Sequence, residues 1–162
     1  MSGIEIIALA ASVIQIADIG GKLSVKLFTF TRKIKNANRS IDAVSKDIAT
    51  TGAVLKQLGE TLSKDASLNI CSQEAIDTAK TLVKDTKRVF MGLEKLIESD
   101  EKSKNTFLTR TGLKQRFKFA LLEPQIEQVQ ANLERLKSSL MVILNVLIFA
   151  EQIRTYVIKQ QV

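Results

Sequence analysis

Between residues 41 and 62 the apolar side chains fall at Ile41, Val44, Ile48, Leu55, Leu58 and Leu62, with Thr51 in the one gap, a spacing of 3-4-3-4-3-4. That period puts all seven on one stripe of an α-helix and leaves the other positions to polar and small residues. The same spacing returns at Ile76, Ala79, Val83, Thr86, Phe90, Leu93 and Ile97. Ser72 stands where an N-cap is needed, and Glu74 places a carboxylate near the positive end of that helix. A third run, Ile126, Val129, Leu133, Leu136, Leu140, Ile143, Leu147 and Ala150, follows Pro124. The fixed φ and missing N–H of proline suit a first helical position, so a helix of roughly 50 Å is predicted from Pro124 to about Tyr156. Upstream, Leu23, Leu27, Phe30 and Ile34 predict a further amphipathic helix.

The turns fall at "SKDASLN" (63–69) and "SDEKSKNTFLTRTG" (99–112), and "LKQRFKFALLEP" (113–124) reads as a short extra helix closed by Pro124. Stripes of period 3.5 joined by short loops favour near-antiparallel packing. The predicted fold is therefore all-α, an up-and-down bundle of about four long helices with a hydrophobic N-terminal helix. It forms a single domain over 1–162, with 1–19 as the N-terminal helix and 22–160 as the bundle. Within the last helix, "LMVILNVLIFA" (140–150) is apolar on every face except at Asn145. Such a segment is either the centre of the bundle or covered by a partner, and an Asn145 buried at the centre would need a hydrogen-bond partner.

The N-terminal stretch "GIEIIALAASVIQIADIGGKL" (3–23) is mostly apolar up to the pair Gly20 and Gly21. A secretory signal is disfavoured, because no Lys or Arg precedes Lys22 and Glu5 lies near the start. As a helix, 4–19 spans about 24 Å against a hydrocarbon core of about 30 Å, so a permanent anchor is marginal. Eight aliphatics (Ile4, Ile6, Ile7, Leu9, Val13, Ile14, Ile16 and Ile19) favour insertion, and Glu5 and Asp18 oppose it by a similar amount. Glu5, Ser12, Gln15 and Asp18 share an arc of about 140° with Ala8 and Ala11, a stripe able to face neighbouring helices or a wet lumen. Ile4 and Ile19 also fall in that arc. An ordinary core helix rich in Ile is the alternative. "SGIE" adds a capping-box pattern, and each glycine costs roughly 1 kcal/mol in a helix interior, so a break or hinge is expected at Gly20 and Gly21.

The 162-residue chain contains no His or Trp and a single Cys, Cys71. That removes imidazole bases, Cys/His pairs and the usual metal clusters, and the glycines show no phosphate-loop spacing. Glu94 and Glu98, one turn apart, read as solvated charge. An enzyme is disfavoured, and no cofactor is expected.

The net charge is +7, and half of the 24 Lys and Arg lie in two windows free of acid. The first holds Lys22, Lys26, Arg32, Lys33, Lys35 and Arg39; the second holds Lys102, Lys104, Arg110, Lys114, Arg116 and Lys118. A polybasic segment beside an apolar helix reads as a docking surface for anionic lipid, at about 1 kcal/mol per cation near the membrane. Nucleic acid is the competing polyanion, but no helix-turn-helix or RNA-binding motif is present and it is disfavoured. Phe28, Phe30, Phe107, Phe117 and Phe119 lie in or beside the windows, where burial is simpler than base stacking.

The start "MSGIEIIALAASVIQIADIGGKLSVKLFTFTRKIKNANRSIDAVSKDIATTGAVLKQLGETL" resembles the N-terminal domain of fungal STAND (NOD-like receptor) proteins of the HeLo-like group. The later "LKQRFKFALLEPQIEQVQANLERLKSSLMVILNVL" is similar to that group's basic-aromatic turn and final helix, so the resemblance spans nearly the whole chain. It implies a cytoplasmic helical-bundle domain of regulated cell death or innate immunity. Its N-terminal helix, residues 2–19 here, would be released on activation, and the oligomer would move to the plasma membrane. It also implies self-association and partnership with a NOD-like receptor or other domains of a longer parent chain. The alternative within the same resemblance is a non-lytic oligomerisation or signalling module.

Overall fold

The structure, a computed structural model, describes residues 3–33, 39–65, 72–104 and 112–160. Within them, the side chains of 31, 33, 39, 40, 65, 99–104 and 112–123 lie outside the description. Four helices account for the described chain: α1 (Gly3–Lys33), α2 (Arg39–Asp65), α3 (Gln73–Lys104) and α4 (Gly112–Gln160). α1 packs against α2 and α3, and α4 packs against the same two, so α1 and α4 occupy opposite corners of the bundle.

The stripes of period 3.5 build the core. On α2, Ile41, Val44, Ile48, Leu55, Leu58 and Leu62 are buried, as are Ile76, Ala79, Val83, Phe90, Leu93 and Ile97 on α3. The two threonines in these stripes are fully buried as well. Each satisfies its hydroxyl within its own helix, Thr51 donating to the Asp47 carbonyl at 2.7 Å and Thr86 to that of Leu82 at 2.8 Å. Ser72 caps α3, its Oγ accepting the Ala75 N–H at 3.2 Å.

α1 and α2 meet along a seam of small residues at heptad spacing, Ala10, Ala17 and Ser24 on one helix and Gly59, Gly52 and Ser45 on the other. A Cβ at Gly52 would stand 3.4 Å from the Ala17 carbonyl oxygen, and one at Gly59 3.2 Å from that of Ala10. The two backbones thus approach closely and run antiparallel. At the third level the Ser24 hydroxyl donates to the Ser45 carbonyl at 3.0 Å and the Ser45 hydroxyl to that of Ser24 at 3.1 Å. This reciprocal pair ties the helices at the end where the side chains turn polar.

Four expectations are corrected. α1 runs without a break through Gly20 and Gly21 to Lys33, so the division into a helix at 1–19 and a bundle at 22–160 disappears and α1 is one of the four bundle helices. The buried stripe keeps its period across the pair, through Ile16, Gly20, Leu23, Leu27 and Phe30, and that packing outweighs the low helix propensity. Secondly, the predicted short helix at 113–124 is the first part of α4, with Pro124 inside it. Pro124 is exposed, and its missing N–H removes one hydrogen bond from the helix without interrupting it. Thirdly, α2 and α3 extend to Asp65 and Lys104, into the stretches expected to turn.

The fourth correction concerns the end of α4. The apolar segment 140–150 is not central: Leu140, Ile143, Leu144 and Leu147 are buried, whereas Met141, Val142, Val146 and Phe149 face outward. Asn145 is exposed and requires no partner inside the protein.

Candidate functional site

α1 carries two complete stripes of period 3.5 on opposite sides. The buried one runs Ile6, Leu9, Val13, Ile16, Gly20, Leu23, Leu27 and Phe30. Two residues out of phase, or about 200° around the helix, a second stripe faces solvent through Ile4, Ile7, Ala11, Ile14, Asp18, Gly21, Val25, Phe28 and Arg32. Ile4 is 76% and Val25 65% exposed. Of the eight aliphatics counted for insertion, Ile6, Leu9, Val13 and Ile16 lie in the core, Ile19 is half-buried, and Ile4, Ile7 and Ile14 are outside. Glu5, Ala8, Ser12 and Gln15 share the solvent side, so the polar and small arc of the sequence is the outer surface of the protein.

Gly3–Phe30, 28 residues, is long and apolar enough to cross a membrane, and so is Pro124–Gln160. The unbroken helix covers about 42 Å, so the length objection raised for 4–19 falls away, although Lys22 and Lys26 now join Glu5 and Asp18 within the span.

The cations of the first window are deployed differently from one another. Lys22 is exposed, and its Nζ lies 2.7 Å from Asp18 Oδ2; that hydrogen bond and the carboxylate's charge hold it above the ordinary lysine value. Lys26 reaches across to α3, 3.2 Å from Glu98 and 3.6 Å from Glu94. The two carboxylates expected to be merely solvated therefore tie α1 to α3. Arg32 is exposed, with its guanidinium 5.6 Å from the centre of the half-exposed Phe28 ring. The side chains of Lys33, Arg39, Lys114, Arg116 and Lys118, and residues Lys35 and Arg110 altogether, lie outside the described set.

A second unpartnered surface lies on α4. Val142, Val146, Phe149, Ile153 and Tyr156 follow one another at intervals of four and three, all exposed, with Met141 and Val157 beside them. By contrast, the outer positions of α2 and α3 are mostly polar: Lys46, Thr50, Lys56, Gln57 and Glu60 on α2, and Gln73, Asp77, Lys84 and Arg88 on α3. The bundle thus alternates apolar and polar corners.

Both apolar stripes escape a reading of the sequence for a physical reason. Each shares its helix with a core stripe of the same period, and chemically alike residues on opposite faces do not say which face is inward. The half-buried ion pair of Lys137 with Asp47, at 3.0 Å between α4 and α2, is likewise missed. Its only signal is a cation beside the α4 core positions.

Shallow grooves of about 640 Å³ along α3 (Gln73, Glu74, Asp77, Thr78, Thr81) and about 350 Å³ along α4 (Glu151, Gln152, Thr155, Tyr156, Lys159) are each lined, among the described residues, by one helix. Among the described residues no cluster of three or more Cys, Asp or Glu is placed to hold a metal ion. In comparisons with family models, curated proteins and solved structures, nothing matches the chain.

Proposed function

We propose that this protein is a membrane-docking module of the regulated cell-death type, which meets anionic lipid through α1. The observation that carries the reading is the outer stripe of α1: Ile4, Ile7, Ile14, Val25 and Phe28 exposed on one line. Lys22 and Arg32 are exposed on the same side, in the first of the two acid-free windows. A partly embedded amphipathic helix uses apolar side chains for depth and flanking cations for headgroup attraction, and both are present on this face. The resemblance of the N-terminal sequence to HeLo-like domains supports the cell-death assignment and a plasma-membrane destination.

Flotation with vesicles of phosphatidylcholine and phosphatidylserine tests the reading. The wild-type protein is expected to float with anionic vesicles and to release as salt rises. Ile7→Ser with Val25→Ser, on the solvent face and outside the core, is expected to lower partitioning at least about tenfold while leaving the helical spectrum intact. Absence of flotation at any phosphatidylserine content, with folded protein, overturns the proposal. The second reading, a non-lytic interaction module, is favoured by the α4 face and gains if the protein self-associates but never floats.

A further inference from the structure

We infer that the outer face of α4 is the contact surface of a symmetric dimer, on which a second copy of this chain lies with its own α4 antiparallel. The inference rests on the membrane reading in one respect: a flat bilayer that meets the α1 corner cannot also reach the opposite corner, where α4 lies. What covers α4 is then decided by its chemistry.

Every exposed position from 136 to 158 is uncharged (Ser138, Met141, Val142, Asn145, Val146, Phe149, Gln152, Ile153, Thr155, Tyr156, Val157 and Ile158), and exposed charge resumes at the two ends, with Arg135 and Lys159. The charged residues of that stretch, Lys137, Glu151 and Arg154, are half-buried. A charged protein partner would be met by complementary charge, which this stretch lacks. A face without charge suits its own copy, because self-association at a net charge of +7 needs a seam that brings no like charges together. Size agrees. The exposed fractions of Met141, Val142, Val146, Phe149, Ile153, Tyr156 and Val157 correspond to roughly 700 Å² of side-chain surface, above the usual largest patch of a monomer. Two such faces bury about 1,400 Å², within the range of specific interfaces.

A two-fold axis near Phe149 sets Val142 of one copy beside Tyr156 of the other, and Asn145 beside Gln152. Those two amides can each donate and accept, so the polar position that interrupts the stripe finds a partner and fixes the register.

The test is sedimentation of the full chain in lipid-free buffer, with circular dichroism of each variant as the folding control. The wild type is expected at twice 18.0 kDa. Phe149→Glu is expected to weaken the dimer at least about 30-fold, and Ile7→Glu on α1 to leave it unchanged. In a Cys71→Ser background, Asn145→Cys mixed with Gln152→Cys is expected to cross-link faster than either variant alone. A wild type that stays monomeric at about 100 μM, where a micromolar contact is saturated, overturns the inference. So does a dimer that survives Phe149→Glu, one dissociated by Ile7→Glu, or faster cross-linking of Asn145→Cys with itself. If the monomeric wild type loses vesicle flotation through Phe149→Glu, the α4 face meets lipid instead. Because the dimer is measured without lipid, its failure leaves the flotation result standing, and failed flotation leaves the dimer standing.

Discussion

Gly20 and Gly21 are neighbours in sequence with opposite surroundings. A Cβ on Gly20 would sit 2.6 Å from Cε2 of Phe90, a ring wholly enclosed by the core, whereas one on Gly21 meets nothing within 4 Å. Gly21→Ala is therefore expected to stabilise the protein by about 0.5–1 kcal/mol through helix propensity alone. Gly20→Ala gains the same propensity but overpacks the core at a cost of about 1–3 kcal/mol, so the net change is destabilising by up to about 2 kcal/mol. Urea unfolding of the two single variants reads the opposite signs; equal stabilisation would show that Phe90 yields freely. Lys22 gives a second contrast at this scale. Its raised pKa means that its contribution to stability is complete below the ordinary lysine value and lost as pH rises through the raised one, so it is constant from pH 6 to 9. As a fully exposed pair with Asp18 it adds little, and Lys22→Gln is expected to leave the urea midpoint unchanged at pH 7. The same substitution is expected to weaken vesicle binding at low salt by a few-fold, reported by flotation at two ionic strengths.

At the scale of elements, α2 and α3 were the most legible, since their core stripes alternate with polar positions and periodicity alone identifies the inward face. Ser72 was legible for the same local reason, because a cap depends on residues three apart. α1 and α4 were legible as helices but not as surfaces: Ile6 and Ile7, or Leu147 and Phe149, do not differ enough in chemistry to reveal which is buried. The unbroken passage through Gly20 and Gly21 and the inclusion of Pro124 in α4 were hidden because tertiary packing overrides local propensity. Cross-helix polar contacts were illegible altogether, since nothing in sequence joins Lys137 to Asp47. That pair has side-chain exposures of 22% and 16%, which makes it more consequential than the surface pairs. Removing one partner, as in Lys137→Met or Asp47→Ala, is expected to cost about 1–3 kcal/mol by leaving the other charge half-buried. The double variant should recover part of that loss, and a urea-unfolding cycle with a coupling energy near zero would show that the contact contributes nothing.

At the scale of the whole molecule, magnitudes decide how α1 can reach a membrane. Withdrawing it from the bundle exposes Ile6, Leu9, Val13, Ile16, Leu23, Leu27 and Phe30, all buried, and opens the seam with α2. At about 1.5–3 kcal/mol per side chain that loss is on the order of 10–20 kcal/mol, as large as the whole stability of a domain. Swinging out only the N-terminal half at Gly20 and Gly21 still exposes Ile6, Leu9, Val13 and Ile16, at roughly 6–12 kcal/mol, and parts Ala10 and Ala17 from α2. The outer stripe, in contrast, can enter the headgroup region with the bundle intact. Docking without release is thus the expected first event, and crossing the bilayer a separate one that requires the bundle to open. Ser24→Cys with Ser45→Cys, in a Cys71→Ser background, separates them, since the two hydroxyl oxygens are 3.4 Å apart. A disulfide there joins α1 to α2 at the Ser24 end of the seam. The oxidised protein is expected to float with anionic vesicles as well as the wild type does. Any dye leakage the reduced form causes is expected to vanish on oxidation and return with reductant. Flotation lost on oxidation and restored by reductant would mean that α1 must leave α2 even to dock, and leakage undiminished in the locked form would mean that permeabilisation proceeds with α1 and α2 still paired.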